Sequence, residues 1–186
     1  MQEIEYKDFS LKFHCNNLKE NIVNACQFEL TFACNLHCQH CYCDCYNNTE
    51  YIKKELNFKE IIFILDKIYR AGVLWICFTG GDPLIRSDFR DIYIYAKRKG
   101  FIITLLTNGT LIDDRLADLF SKYPPFCIEI TLNAVTKHIY EDITMVEGSF
   151  ELVIAGIKRL KEREIPFKIK TQVTKRNYHE LDKIKD

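Results

Sequence analysis

Five apolar runs of strand length alternate along this chain with stretches of helical periodicity, and no other feature narrows the possible folds so far. The runs cover residues 26–33, 73–79, 101–107, 126–133 and 167–174. After the first, Asn57-Phe58-Lys59-Glu60 has the form of an N-cap with its capping-box partner. Phe58, Ile61, Ile62, Leu65, Ile68 and Tyr69 then follow helical spacing, and Gly72 is a stop. Ser87 is placed to cap a helix bearing Phe89, Ile92, Tyr93 and Ala96, ended by Gly100. Residues 112–120 and 136–143 read as short helices. Ser149 caps a longer one with Phe150, Val153, Ile154, Ile157 and Leu160, and residues 177–186 begin another. Strands joined through helices run parallel, with the helices outside the sheet, so the fold class is α/β.

Two closures fit such a pattern, an open doubly wound sheet or a segment of a barrel. Strand polarity favours the barrel. Ile128, Ile130 and Leu132 alternate with Glu129, Thr131 and Asn133; Phe28, Leu30 and Phe32 alternate with Gln27, Glu29 and Thr31. In the last run, Phe167, Ile169 and Val173 oppose Lys168, Lys170, Gln172 and Thr174. A parallel strand covered on both faces is apolar on both. These strands each keep one polar face, which suits a lumen that holds something charged.

Lys and Arg number 26 and Asp and Glu number 26, a balance that argues against a generally basic nucleic-acid or membrane-surface binder. No apolar run reaches the length of a membrane span, about 18 residues or more. The first residues lack the basic start and apolar stretch of a signal peptide, so the expected compartment is the cytoplasm. Residues 1–25 are polar and poorly periodic and read as an N-terminal extension to a core over 26–186.

Nine cysteines in a chain of that kind need a reason. Five of them, Cys34, Cys38, Cys41, Cys43 and Cys45, fall within one short stretch. So dense and odd-numbered a set does not make a disulfide framework in a reducing compartment; clustered thiols there bind metal. Cys26, Cys77 and Cys127 lie in apolar runs and read as buried thiols.

Three segments concentrate the chemistry. Cys34-Asn35-Leu36-His37-Cys38-Gln39-His40-Cys41 follows the first strand. Three thiolates close together need a metal to neutralise them. They suit a 4Fe–4S cluster with one iron open to another ligand. Zinc remains an alternative, with His37, His40, Cys43 or Cys45 as a fourth donor. Thr79-Gly80-Gly81-Asp82-Pro83 follows the second strand, where paired glycines let backbone approach a ligand and a carboxylate can meet an ammonium. Thr131, Asn133, Lys170 and Gln172 end the fourth and fifth strands with groups suited to a carboxylate and a ribose.

Taken in order on successive βα units, these segments resemble the radical SAM superfamily. The matching residues are Cys34-x3-Cys38-x2-Cys41, Thr79-Gly80-Gly81-Asp82-Pro83-Leu84 and Thr107-Asn108-Gly109. The stretch 130–140, Gly148-Ser149-Phe150 and the stretch 165–174 look like the peptide-modifying, SPASM-type branch. The resemblance implies a partial (βα)6 TIM-like barrel. It implies that Cys34, Cys38 and Cys41 ligate a 4Fe–4S cluster and that S-adenosylmethionine (SAM) chelates the open iron. Gly80 and Gly81 would take the SAM ammonium on their carbonyls, helped by Asp82. His40 would lie near the adenine, Thr131 and Asn133 near the ribose or carboxylate, and Lys170 or Gln172 near the methionine end. Reductive cleavage of SAM would give a 5′-deoxyadenosyl radical that abstracts hydrogen from a substrate, here a peptide or small protein. An electron donor such as flavodoxin or ferredoxin is implied as a partner, with no nucleic acid and no membrane.

The chain departs from the family in four ways. Asp82 replaces the usual Glu, one methylene shorter. Thr131 and Asn133 replace a serine–aspartate pair. Cys43 and Cys45 are additional and read as loop thiols. The sequence stops after the fifth strand, without a sixth βα unit or a C-terminal auxiliary-cluster domain, and reads as a truncated barrel: either a partner covers its open edge or the chain is a truncated product with reduced or absent turnover. The alternative function is a non-catalytic iron–sulfur or zinc module acting through protein contacts.

Overall fold

The computed structural model describes residues 5, 7–11, 15, 23–43 and 49–185. Cys45 and most of the expected extension over 1–25 lie outside the described residues. Five strands form one parallel sheet in sequence order: β1 (Ala25–Thr31), β2 (Trp75–Gly80), β3 (Ile102–Thr107), β4 (Cys127–Thr131) and β5 (Phe167–Lys170). Each connection carries a helix: α1 (Phe58–Arg70), α2 (Phe89–Lys99), α3 (Asp114–Lys122), and the pair α4 (Lys137–Thr144) and α5 (Ser149–Glu162). A last helix, α6 (Leu181–Lys185), follows β5. The α/β class and the barrel-like arrangement expected from the sequence are what the structure has.

The register explains why the strands alternate. Gln27 pairs with Cys77, Cys77 with Thr104 and Thr104 with Cys127, while Glu29 pairs with Thr79, Glu129 with Lys168 and Thr131 with Lys170. Register partners share a face, so these residues line the inner, polar side. The other face presents Leu30, Ile76, Phe78, Ile103, Leu105, Ile128 and Ile130, all buried. Against it pack Ile61 and Leu65 of α1, Ile92 and Tyr93 of α2, Phe120 of α3, and Val153 and Leu160 of α5. Each such large side chain contributes roughly 1.5–3 kcal/mol by leaving water. Phe89, Tyr93 and Phe120 form an aromatic group with centroids 5.3–6.4 Å apart, which ties α2 to α3. Of the three thiols expected to be buried, Cys127 is; Cys26 and Cys77 are half-buried.

Local chemistry sets the helix ends. Asn57 and Glu60 form the expected reciprocal box, with Glu60 N–H donating to Asn57 Oδ1 (3.2 Å) and Asn57 N–H to Glu60 Oε2 (2.8 Å). Helix α2 starts from Asp88 instead of Ser87, with Arg86 holding both Asp88 oxygens at 2.8 Å. Helix α5 starts from Gly148, whose left-handed φ of 78° makes Ser149 the first helical residue instead of its cap. Strand β5 is shorter than the expected 167–174. Beyond Lys170 its backbone is taken over by side chains: Gln172 N–H donates to Asn133 Oδ1, and Asn177 Nδ2 donates to the Gln172 carbonyl. No helix among the described residues is long and apolar enough to cross a membrane.

Candidate active site

The loop after β1 carries the three cysteines to the C-terminal end of the sheet, where parallel α/β folds place their sites. It is held from two sides. His37 N–H and Gln39 N–H donate to the carbonyls of Thr144 and Ile143 at the end of α4, both at 3.0 Å. On the other side Gly81 N–H donates to the Thr31 carbonyl and Asp82 N–H to that of Ala33, both at 2.8 Å. The glycine pair thus extends β2 along the start of the cysteine loop. Nothing but glycine fits there. A Cβ on Gly81 would lie 2.2 Å from the Ala33 carbonyl oxygen; one on Gly80, at φ 131°, would lie 2.2 Å from that of Thr31. Sequence reasoning assigned these glycines to a ligand; close packing of two chain segments also requires them.

A cavity of about 190 Å³ opens at this end of the sheet. Its wall includes Cys34, Cys38, His40, Cys41 and Cys43 from the first loop, and Thr79, Gly80 and Gly81 from the second. It includes Asn108 after β3, Thr131 and Asn133 after β4, Tyr140 and Thr144 from α4, and Gln172 after β5. Nine of the eleven residues singled out from the sequence therefore share one cavity. Asp82 and Lys170 do not line it.

Asp82 is fully buried behind the glycines. Its Oδ1 accepts from Leu84 N–H (3.0 Å), and its Oδ2 from the Thr107 hydroxyl and Asn108 N–H (both 2.8 Å). Burial raises its carboxyl, and these donors pull it back part of the way. Its placement makes it a brace between the second and third loops. The Lys170 ammonium pairs with Glu129 on the inner face of the sheet.

Asn108 carries that brace to the cysteines. Thr110 N–H donates to its Oδ1 (2.9 Å), which fixes the amide orientation. Its Nδ2 therefore faces Asn35 Oδ1 (2.9 Å) and Cys34 Sγ (3.7 Å). Leu36 N–H donates to the same sulfur at 3.4 Å. Asn133 Nδ2 lies 3.4 Å from His40 Nε2, and burial lowers the His40 pKa below its ordinary value. From the sequence, Asn108 enters only within the Thr107-Asn108-Gly109 match, and Tyr140 has no assigned role. Periodicity carries no signal for either, since both are read through what lies across the fold.

The donor set suits an iron–sulfur cluster. Burial pushes the Cys34 thiol up to about 11 and Cys38 up to about 12, the latter helped by its neighbours Cys34 and Cys41. Buried thiols of this kind ionise when a cationic centre binds them. Among the described residues no three His, Cys, Asp or Glu side chains converge tightly enough for a single metal ion. A lone zinc draws sulfur ligands to about 2.3 Å from one centre. A cluster spreads its thiolates over several irons, and Cys34, Cys38 and Cys41 line one wall of the cavity.

A family model described as the radical SAM superfamily matches residues 28–186. The chain is 30% identical over 156 residues to an AdoMet-dependent heme synthase of Methanosarcina barkeri, covering 84% of this chain and 44% of that protein. It is 28% identical over 156 residues to the mycofactocin maturase MftC of Mycolicibacterium smegmatis, covering 83% and 39%. The chain thus spans about two-fifths of these curated relatives. Its fold matches SuiB of Streptococcus suis at 18% identity, covering 98% of this chain and 42% of that one. The TM-score is 0.67 for SuiB bound to S-adenosylmethionine and 0.70 for SuiB bound to its precursor peptide SuiA.

Proposed function

The chain belongs to the radical SAM superfamily, and from that premise we propose that Cys34, Cys38 and Cys41 hold a 4Fe–4S cluster that presents an open iron to SAM. The observation that carries this reading is the single cavity walled by the three cysteines, both glycines, Thr131, Asn133 and Gln172. When bound, a cluster and SAM would supply radical chemistry for abstracting a hydrogen atom from a substrate C–H bond.

The chain's residues orient and enclose. The Gly80 and Gly81 carbonyls receive the SAM ammonium. Asp82 acts as a positioning residue that fixes the glycine turn from behind. Thr131 and Asn133 face the ribose or carboxylate, Gln172 the methionine end, and His40 stands beside the adenine. Buried Leu36 and Thr144 help keep water from the wall around the cysteines. Nothing here asks for a nucleophile–base pair, because the cofactors carry the bond breaking.

The substrate is proposed to be a peptide, with flavodoxin or ferredoxin as electron donor and the cytoplasm as the compartment. The maturase relative and the SuiB complex with a precursor peptide support the peptide. A second reading, a heme precursor, is favoured by the higher identity to the heme synthase. The test is anaerobic reconstitution with iron and sulfide, then SAM and a reductant, with 5′-deoxyadenosine measured by chromatography. Formation of 5′-deoxyadenosine that rises with a precursor peptide supports the first reading; a rise with an iron porphyrin precursor supports the second. A loaded cluster that forms no 5′-deoxyadenosine under any condition points instead to a non-catalytic module.

A further inference from the structure

Among the described residues, one buried side-chain polar atom has no hydrogen-bond partner: the Tyr140 hydroxyl. Buried tyrosine hydroxyls nearly always find one, so an orphan calls for a reason. Tyr140 is fully buried on α4, its ring set edge-on to Phe150 with centroids 5.7 Å apart. The same side chain lines the cysteine cavity. Cys34, Cys38 and Cys41 line that cavity with it. Both Asp82 oxygens are already engaged by Leu84, Thr107 and Asn108. No described protein group accepts from the hydroxyl, so its acceptor is a group that enters the cavity.

We infer that the Tyr140 hydroxyl is a positioning donor for the bound cluster, giving its hydrogen bond to a sulfur of that group. The sulfurs of a bound cluster carry negative charge and are strong acceptors. A tyrosine hydroxyl, with an ordinary pKa near 10, keeps its proton at neutral pH. The orphan is thus a group whose partner arrives with the metal. Hydrogen bonds to cluster sulfurs set reduction potential, and a donor there stabilises the more negative, reduced state. This inference rests on the cluster reading of the site.

Tyr140→Phe tests it, since the ring that packs on Phe150 is kept. The metal-free variant should melt at or above the wild-type temperature, because an unpaired buried hydroxyl has been removed. After reconstitution with iron and sulfide, its cluster should show a midpoint potential more negative than wild type in a redox titration followed by electron paramagnetic resonance. An unchanged potential in the loaded variant overturns the inference alone. A lower melting temperature of the metal-free variant also overturns it, since the hydroxyl would then have a partner in the protein. A wild-type chain that takes up no iron overturns the cluster reading and this inference with it.

Discussion

Asn177 lies 44 residues beyond Asn133, yet its side-chain amide donates to the Asn133 carbonyl at 2.7 Å. The same amide nitrogen donates to the Gln172 carbonyl at 2.8 Å, and its oxygen accepts from Thr174 N–H at 2.7 Å. One buried side chain thereby fixes the two cavity residues that follow β4 and β5. Asn177→Ala leaves two carbonyls and an amide without partners and should cost about 2–4 kcal/mol. Tyr178→Ala, at a position 63% exposed, should stay within about 0.5 kcal/mol. Urea denaturation of both variants checks the contrast.

Gly81→Ala should be far worse than Gly100→Ala. An added methyl at Gly81 meets the Ala33 carbonyl, whereas Gly100, at φ 96°, has nothing within 4 Å of an added Cβ. The second change should cost about 1–2 kcal/mol of backbone strain. The first should cost about 3 kcal/mol or more, because the overlap is with backbone that cannot step aside. Thermal melting distinguishes them, and Gly81→Ala should also load less iron.

Asp82→Ala removes the acceptor used by Leu84, Thr107 and Asn108. It should destabilise by about 3 kcal/mol or more. Asp82→Glu, the residue usual in the family, adds a methylene where there is no exposed surface and should cost about 1–3 kcal/mol. If Asp82 touched SAM directly, the Glu variant would change SAM affinity with no loss of stability; paired calorimetric and melting measurements separate the two roles.

Cys34→Ala, Cys38→Ala and Cys41→Ala should each abolish cluster assembly. Cys43→Ala should leave it, although Cys43 donates to the Gly80 carbonyl at 3.7 Å in the same cavity. Iron and sulfide content with the visible absorption band reads this out. Equal loss from Cys43→Ala would mean that a different set of thiols binds the metal.

The alternation of strands and helices was legible because period-2 and period-3.6 patterns differ along a linear chain. The polar inner face followed from Glu129 and Thr131 alternating with Ile128 and Ile130, and the register confirms that they share a side. The cysteine spacing placed the cavity. The roles of Asp82, Asn108 and Asn177 were not legible. Their partners are 25, 74 and 44 residues away, and sequence spacing says nothing about such pairings. The end of β5 was misjudged for a similar reason, since Asn133 and Asn177 side chains replace a ladder that the apolar pattern would have continued.

In the proposed site three sulfurs bind a cluster and one iron is left for SAM. The most direct measurement is the electron paramagnetic resonance spectrum of the reduced, reconstituted chain with and without SAM. A reduced 4Fe–4S signal whose shape changes on adding SAM is the predicted result. Stoichiometric zinc without iron, or a cluster signal indifferent to SAM, would contradict it.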